Sequence, residues 1–246
     1  VIIVDNMSND DSINKIKSYF NKNNIHYTHF KVLSEVFKSQ CDVNNVTLIE
    51  AGTNNGYGHG NNIGIKYALR NEADYVLILN NDTLVRADFI EPLLKVCQDD
   101  EFIGVASGKI YFYPEVDRIW YAGGSYSKVT MTTKHFYYKM TDCEKNKNLD
   151  VSFISGCLWF IPAHVFNTVG LINENYFMYV EDLEFCHRIL AAGFKLKYVS
   201  DSVIYHKAGA SSCRDSEFSV YWTSKNTIRF ILENLPKKYV VISIPY

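Results

Sequence analysis

The chain has 246 residues, 47% of them hydrophobic and 21% charged, the balance of a soluble globular protein with a sizeable core in one large domain or two small ones. A net charge of -2 with no long basic run excludes a general nucleic-acid binder. Its 6 cysteines include no Cys-x-x-Cys pair, which excludes a zinc ribbon and reads as reduced thiols in a cytosolic protein.

Residues 1–4 are an apolar β-branched run, predicted as a strand, and they end in the polar series Asp5-Asn6-Met7-Ser8-Asn9-Asp10. Val1 falls inside that strand, so the chain reads as beginning at an internal point. No signal peptide or membrane-spanning run is visible. Ser8, Asp10 or Ser12 is expected to cap a helix running through Phe20, in which Ile13, Ile16, Lys17 and Phe20 keep helical spacing. Residues 21–45 carry only weak signals, and residues 46–50 read as a short strand.

Next comes a Gly- and Asn-rich stretch, Asn54-Asn55-Gly56-Tyr57-Gly58-His59-Gly60-Asn61-Asn62-Ile63-Gly64, leading into a helix over about residues 61–70. Glycines let the backbone approach a ligand closely, and a helix amino end attracts phosphate. A flexible turn is the plainer reading, and the stretch matches neither the Walker nor the dinucleotide pattern.

Residues 75–79 are an unbroken apolar run, the pattern of a buried strand, and they stop abruptly at Asn80-Asn81-Asp82. In open α/β sheets ligands bind beyond the carboxyl ends of strands, and a carboxylate placed there suits a divalent cation that shares its oxygen ligands with substrate phosphates. A polar turn is the alternative. A helix follows over residues 89–97 with Asp88 as its expected cap, then a strand over residues 105–112. This alternation predicts a mostly parallel sheet of βαβ units up to about residue 111. Residues 119–149 read as a meander or insertion.

Residues 151–161 read as a strand or strand pair ended by Pro162, with a short helix over residues 163–169. From Glu181 onward, Leu183, Cys186, Ile189 and Leu190 fall on one helical face, and Gly193 closes that helix. Residues 195–199 and 202–205 read as two strands, the second ending at His206. Residues 218–235 read as an amphipathic helix stopped before Pro236.

Taken in order, these pieces resemble the family 2 glycosyltransferases, and within them the rhamnosyltransferase-like and galactofuranosyltransferase-like enzymes. The matching pieces are Val4-Asp5-Asn6-x-Ser8-x-Asp10, Asn54-x-Gly56 with Gly60-Asn61-Asn62, Asn80-Asn81-Asp82, Ser155-Gly156, Phe177-Met178-Tyr179-x-Glu181-Asp182-x-Glu184 with Arg188, and Tyr205-His206. Tyr221 with Lys225-Asn226 resembles a seventh, with Lys in place of Arg. The resemblance covers nearly the whole chain.

It implies an A-type glycosyltransferase fold, α/β and Rossmann-like, with a mostly parallel central sheet flanked by helices and lacking the family's first strand and helix. It implies one domain: residues 1–111 for the nucleotide sugar, 112–215 for the acceptor and catalysis, and 216–246 as a C-terminal helix and tail. The activity implied is inverting transfer of a hexose from a UDP- or dTDP-linked donor to a saccharide or lipid-linked acceptor in polysaccharide or cell-envelope assembly. No nucleic acid is implied, and peripheral contact with a membrane's cytoplasmic face is compatible with it.

Residue by residue, Asp182 is implied as the general base, and Asp82 and His206 as ligands of Mn²⁺ or Mg²⁺. Asp5, Asn54, Gly56, Asn61 and Asn80 would face the donor. Gly156, Trp159 and Glu181 would face the acceptor, though a strand tryptophan is also a common core residue. The family's metal motif often begins with Asp. Here Asn80 stands there, and an amide suffices for a position that touches sugar or ribose hydroxyls. Two other classes stay open at this point: a non-catalytic nucleotide- or glycan-binding relative, and a nucleotidyltransferase of related architecture.

Overall fold

The computed structural model describes residues 1–31, 36, 45–142, 147–207 and 216–239. Cys41, Cys143 and Cys213 lie outside the described residues. The chain divides into two compact units, Val1–Asp74 with Leu171–Met178, and Tyr75–Gly170 with Tyr179–Tyr246.

In the first unit, β1 (Ile2–Asp5), β2 (Tyr27–Phe30) and β3 (Val46–Glu50) form a parallel sheet in the order β1-β3-β2. Helices α1 (Ser12–Lys22) and α2 (Tyr57–Arg70) accompany it. Phe30, Val36, Ile49, Ala51, Ile63 and Tyr67 form a core to which Ile2 and Val4 add, the burial that drives such an arrangement. The residue preceding α1 is Asp11, which makes no side-chain cap bond. Asp10 instead accepts from the Ser12 amide at 3.0 Å, satisfying an orphan donor of the first turn from one position earlier. Helix α2 begins at Tyr57, earlier than the predicted residue 61, because the glycines fit inside its first turns. A Cβ on Gly60 would stand 3.2 Å from the Asn6 side chain.

The second unit holds β4 (Tyr75–Leu79), β5 (Thr83–Val85), α3 (Ile90–Asp99), β6 (Ile103–Phe112), β7 (Ile119–Tyr121), β8 (Gly124–Tyr126), β9 (Thr133–His135), β10 (Leu149–Val151), β11 (Leu158–Pro162), α4 (Ala163–Val169), α5 (Glu181–Ala191), β12 (Lys195–His206) and α6 (Glu217–Asn234). Its main sheet runs β10-β12-β6-β11-β4, with β5 on β12 and β7 on β6, while β8 and β9 form a separate hairpin. β12 and β6 are parallel, and β11 is antiparallel to both β4 and β6. The parallel pattern expected up to residue 111 therefore holds in the first unit and becomes mixed in the second.

Three local expectations change. Asp88 pairs with Arg86 at 3.1 Å and does not cap α3, which starts after Phe89 without a side-chain cap. Residues 152–157 are a loop between β10 and β11. The two strands expected over residues 195–205 are one, with an irregular register between Val199 and Val203. There the Ser202 hydroxyl donates to Phe89 O at 2.7 Å, and a Cβ on Gly108 would stand 2.5 Å from Ser202. The end of α5 is as expected. Gly193 has φ +89, its amide bonds to Leu190 O and the Phe194 amide to Ile189 O, the paired closure of a Schellman turn. No helix among the described residues is long and apolar enough to cross a membrane.

Candidate active site

Strand pairing brings Asp82 to His206. β5 runs antiparallel to the end of β12, with Thr83 opposite His206, and the Lys207 amide donates to Asp82 O at 2.9 Å. His206 Nε2 then lies 3.2 Å from Asp82 Oδ1. His206 is 7% exposed, and Trp120 stands edge-on to its ring at 4.6 Å between centroids. Burial holds the imidazole below its ordinary pKa against the pull of Asp82, so it is neutral with a lone pair to offer. Asp82 Oδ1 and His206 Nδ1 are buried without a hydrogen-bond partner. An orphaned carboxylate oxygen facing a neutral imidazole fits two ligands of one divalent cation. Among the described residues no group of three or more metal-binding side chains converges.

Asn80 closes the end of β4. Its amide donates to Cys157 O at 3.0 Å, and its carbonyl accepts from the Thr83 hydroxyl at 2.7 Å. This ties the Asn80-Asn81-Asp82 turn to the loop holding Ser155 and Gly156.

From the other side of that loop, the Gly156 amide points at Asp182 Oδ2 at 3.4 Å, and Asp182 Oδ1 accepts from the Leu183 amide at 2.8 Å. Desolvation outweighs these bonds and lifts the Asp182 carboxyl to about 6. The turn before it is strained: Tyr179 and Val180 have φ of 66 and 72, a region unfavourable to a β-branched residue. Glu181 is 7% exposed, and its Oε2 has no partner. Burial first, and the adjacent Asp182 second, hold its carboxyl well above the ordinary range. Glu184 is gripped by Arg188 through two bonds of 2.6 and 3.0 Å, and Arg188 also donates to Val169 O. This pair anchors α5 and leaves neither charge for chemistry.

Trp159 is a correction. It is fully buried, donates its indole N–H to Ile154 O at 3.3 Å and packs on Phe185 at 5.1 Å. It is a core residue and offers no face to a sugar.

Asn80 apart, the residues expected to face the donor lie in the first unit. Asp5 Oδ2 accepts from the Ser8 amide at 3.1 Å. Asn6 Nδ2 donates to Asn54 Oδ1 at 3.1 Å and to Gly56 O at 3.0 Å, and Asn54 Oδ1 also accepts from the Gly56 amide at 3.1 Å. Gly56 has φ +96, and a Cβ there would lie 2.0 Å from Phe177 O. Its glycine is therefore required by packing. Asn61 donates to Tyr57 O of its own helix at 2.9 Å.

Two residues given no role from sequence tie the loops of the first unit together. Asn6 organises the Asn54–Gly56 loop and keeps its Oδ1 buried and unpartnered. Asn62, 1% exposed, donates to Ile172 O and Glu174 Oε1 at 2.8 Å and accepts from the Ile172 amide at 3.1 Å. The one available signal was an amide side chain in a helix interior, where it competes with the backbone unless it has a distant partner.

A sequence model described as glycosyl transferase family group 2 matches residues 75–216. The low-salt glycan biosynthesis hexosyltransferase Agl10 of Haloferax volcanii is 26% identical over 209 residues, covering 82% of this chain and 64% of that one. The dTDP-rhamnosyl transferase RfbF of Shigella flexneri is 27% identical over 180 residues, covering 71% and 56%. The chain thus spans less than two thirds of the length of these relatives. Among solved structures, GalNAc-T7 with UDP, GalNAc and Mn²⁺ superposes with a TM-score of 0.63 at 17% identity, covering 94% of this chain and 41% of that one. This likeness carries the fold, the A-type glycosyltransferase α/β architecture.

Proposed function

The chain belongs to glycosyl transferase family group 2, and we propose that it moves a hexose, with inversion, from a UDP- or dTDP-linked donor to a saccharide or lipid-linked acceptor in polysaccharide or cell-envelope assembly. The observation that carries this reading is the convergence in one unit of a carboxylate tuned to about 6, Asp182, with the Asp82–His206 pair at 3.2 Å.

In the proposed reaction an acceptor hydroxyl attacks the anomeric carbon while the bond from that carbon to the diphosphate oxygen breaks. The hydroxyl is a poor nucleophile, and Asp182 takes its proton during attack. A base with pKa near the working pH is both ionised and basic enough for this. The Gly156 amide fixes the direction of the carboxylate. Glu181, held protonated by burial, is an O–H donor for the acceptor. Asp82 and His206 would hold Mn²⁺ or Mg²⁺, which when bound supplies positive charge to the departing diphosphate. Asn80 would meet a ribose or sugar hydroxyl, and Asp5 the imide N–H of a pyrimidine. Asn54, Gly56 and Asn61 would line the donor side.

RfbF is a dTDP-rhamnosyl transferase, which makes dTDP-rhamnose the first donor to try. The test is a calorimetric titration of dTDP and UDP with and without Mn²⁺, followed by transfer from the better base's sugar. Binding that needs metal, then turnover, supports the reading. Nucleotide binding indifferent to metal, or none, sinks it.

A further inference from the structure

Helix α6 presents its apolar stripe away from the protein. Its buried residues are Ser219, Asn226, Phe230 and Ile231. On the other side lie Phe218, Tyr221, Ile228 and Leu232, exposed by 47, 56, 46 and 59%. With Lys225 these positions recur every three or four residues, which makes one continuous stripe on an α-helix. Water-facing large side chains aligned in this way mark a docking surface.

We infer that this stripe lies on an anionic lipid surface. The charge around it decides for lipid. Residues 216–239 carry Lys225 within the stripe and Lys237 and Lys238 just past the helix end, against Glu217, while Arg229 pairs with Glu233 at 3.6 Å, in a chain whose net charge is -2. Basic residues beside an apolar helix face suit acidic headgroups, with the apolar side chains entering the acyl boundary. Lys225 reaches along the rings of Trp222 and Tyr221, its Nζ 4.5 and 5.4 Å from their centroids, so its stem covers apolar surface while its charge stays at the headgroup level. A second copy fits less well. Lys225 stands at the midpoint of the stripe, and a two-fold pairing of the two stripes sets it against its own copy.

The test needs neither donor nor acceptor, so it stands apart from the proposed transfer. The purified full chain is floated with vesicles of phosphatidylcholine alone and with vesicles containing phosphatidylglycerol. Trp120 and Trp159 are buried, so a blue shift in tryptophan emission on adding vesicles reports Trp222. The expected result is binding to the anionic vesicles, weakened by salt, and reduced at least about tenfold by Ile228→Asp with Leu232→Asp and by Lys225→Glu. Circular dichroism checks that the variants stay folded. Three results overturn the inference: no binding to anionic vesicles, equal binding to neutral ones, or equal binding by the folded variants. Self-association without lipid that the same substitutions abolish also overturns it, and makes the stripe an interface between copies.

Discussion

His206 Nε2 and Asp82 Oδ1 stand 3.2 Å apart at the paired ends of β5 and β12, and neither that oxygen nor the other imidazole nitrogen has a hydrogen-bond partner. A buried carboxylate oxygen without a hydrogen-bond partner is costly unless a ligand satisfies it. Asp82→Ala and His206→Ala are therefore each expected to weaken metal-dependent nucleotide binding by at least about tenfold, the usual scale for losing a ligand-sphere contact. Calorimetry with and without Mn²⁺ reads this directly. An unchanged manganese requirement in both variants removes the assignment.

Asp182→Asn separates chemistry from binding. Turnover is expected to fall by about 10²–10⁴-fold, the range for losing a general base, with donor affinity unchanged. The same substitution is expected to stabilise the fold by about 1–3 kcal/mol at neutral pH, because a carboxyl raised from 3.8 to about 6 is ionised against a desolvation cost. The sign follows from linkage. Folding raises this pKa, so the group's contribution to stability falls as pH rises from about 4 to about 6 and is constant above. The gap in melting temperature between variant and parent should therefore open across that window. Equal melting curves at pH 4 and pH 8 argue against a desolvated base.

The pH dependence of turnover is expected to rise through an apparent pKa near 6 as Asp182 loses its proton. Glu181→Gln should leave that midpoint in place and cost little stability, because burial already keeps Glu181 protonated and the amide replaces one neutral group by another. A marked downward move of the midpoint in the variant means that Glu181 carries a charge beside Asp182.

Gly56→Ala tests the donor-side loop. The added Cβ meets Phe177 O at 2.0 Å, in a backbone conformation of φ +96. The expected loss is about 2–4 kcal/mol, from strain and overpacking together, with nucleotide binding impaired. A thermal melt within about 1 °C of the parent shows that Phe177 and the loop are free to separate.

Most elements of the fold were legible in the sequence because they rest on short-range physics. The apolar run of residues 75–79, the helical stripe after Glu181 and the Gly193 stop follow from periodicity and backbone sterics. The candidate site residues Asp82, Asp182 and His206 were picked out in the same way, since they sit where strands and a helix begin or end. Misses came where a distant contact decides. β12 runs through residues 195–206 where two strands were expected, held along β6 with its register shifting between Val199 and Val203. Trp159 reads alike as platform or core until Phe185 is seen against it.

The sequence by itself determined the longer strands and most helices and which carboxylates end them, because alternation and capping are properties of neighbours along the chain, while the short strands β2, β5, β7, β8 and β9 carried no pattern of their own. Only the tertiary structure decided that β5 pairs with the end of β12, which joins Asp82 to His206. It alone decided that the Gly156 amide and the surrounding burial tune Asp182. Strand register and desolvation are set by residues far apart in the chain. No local pattern encodes them.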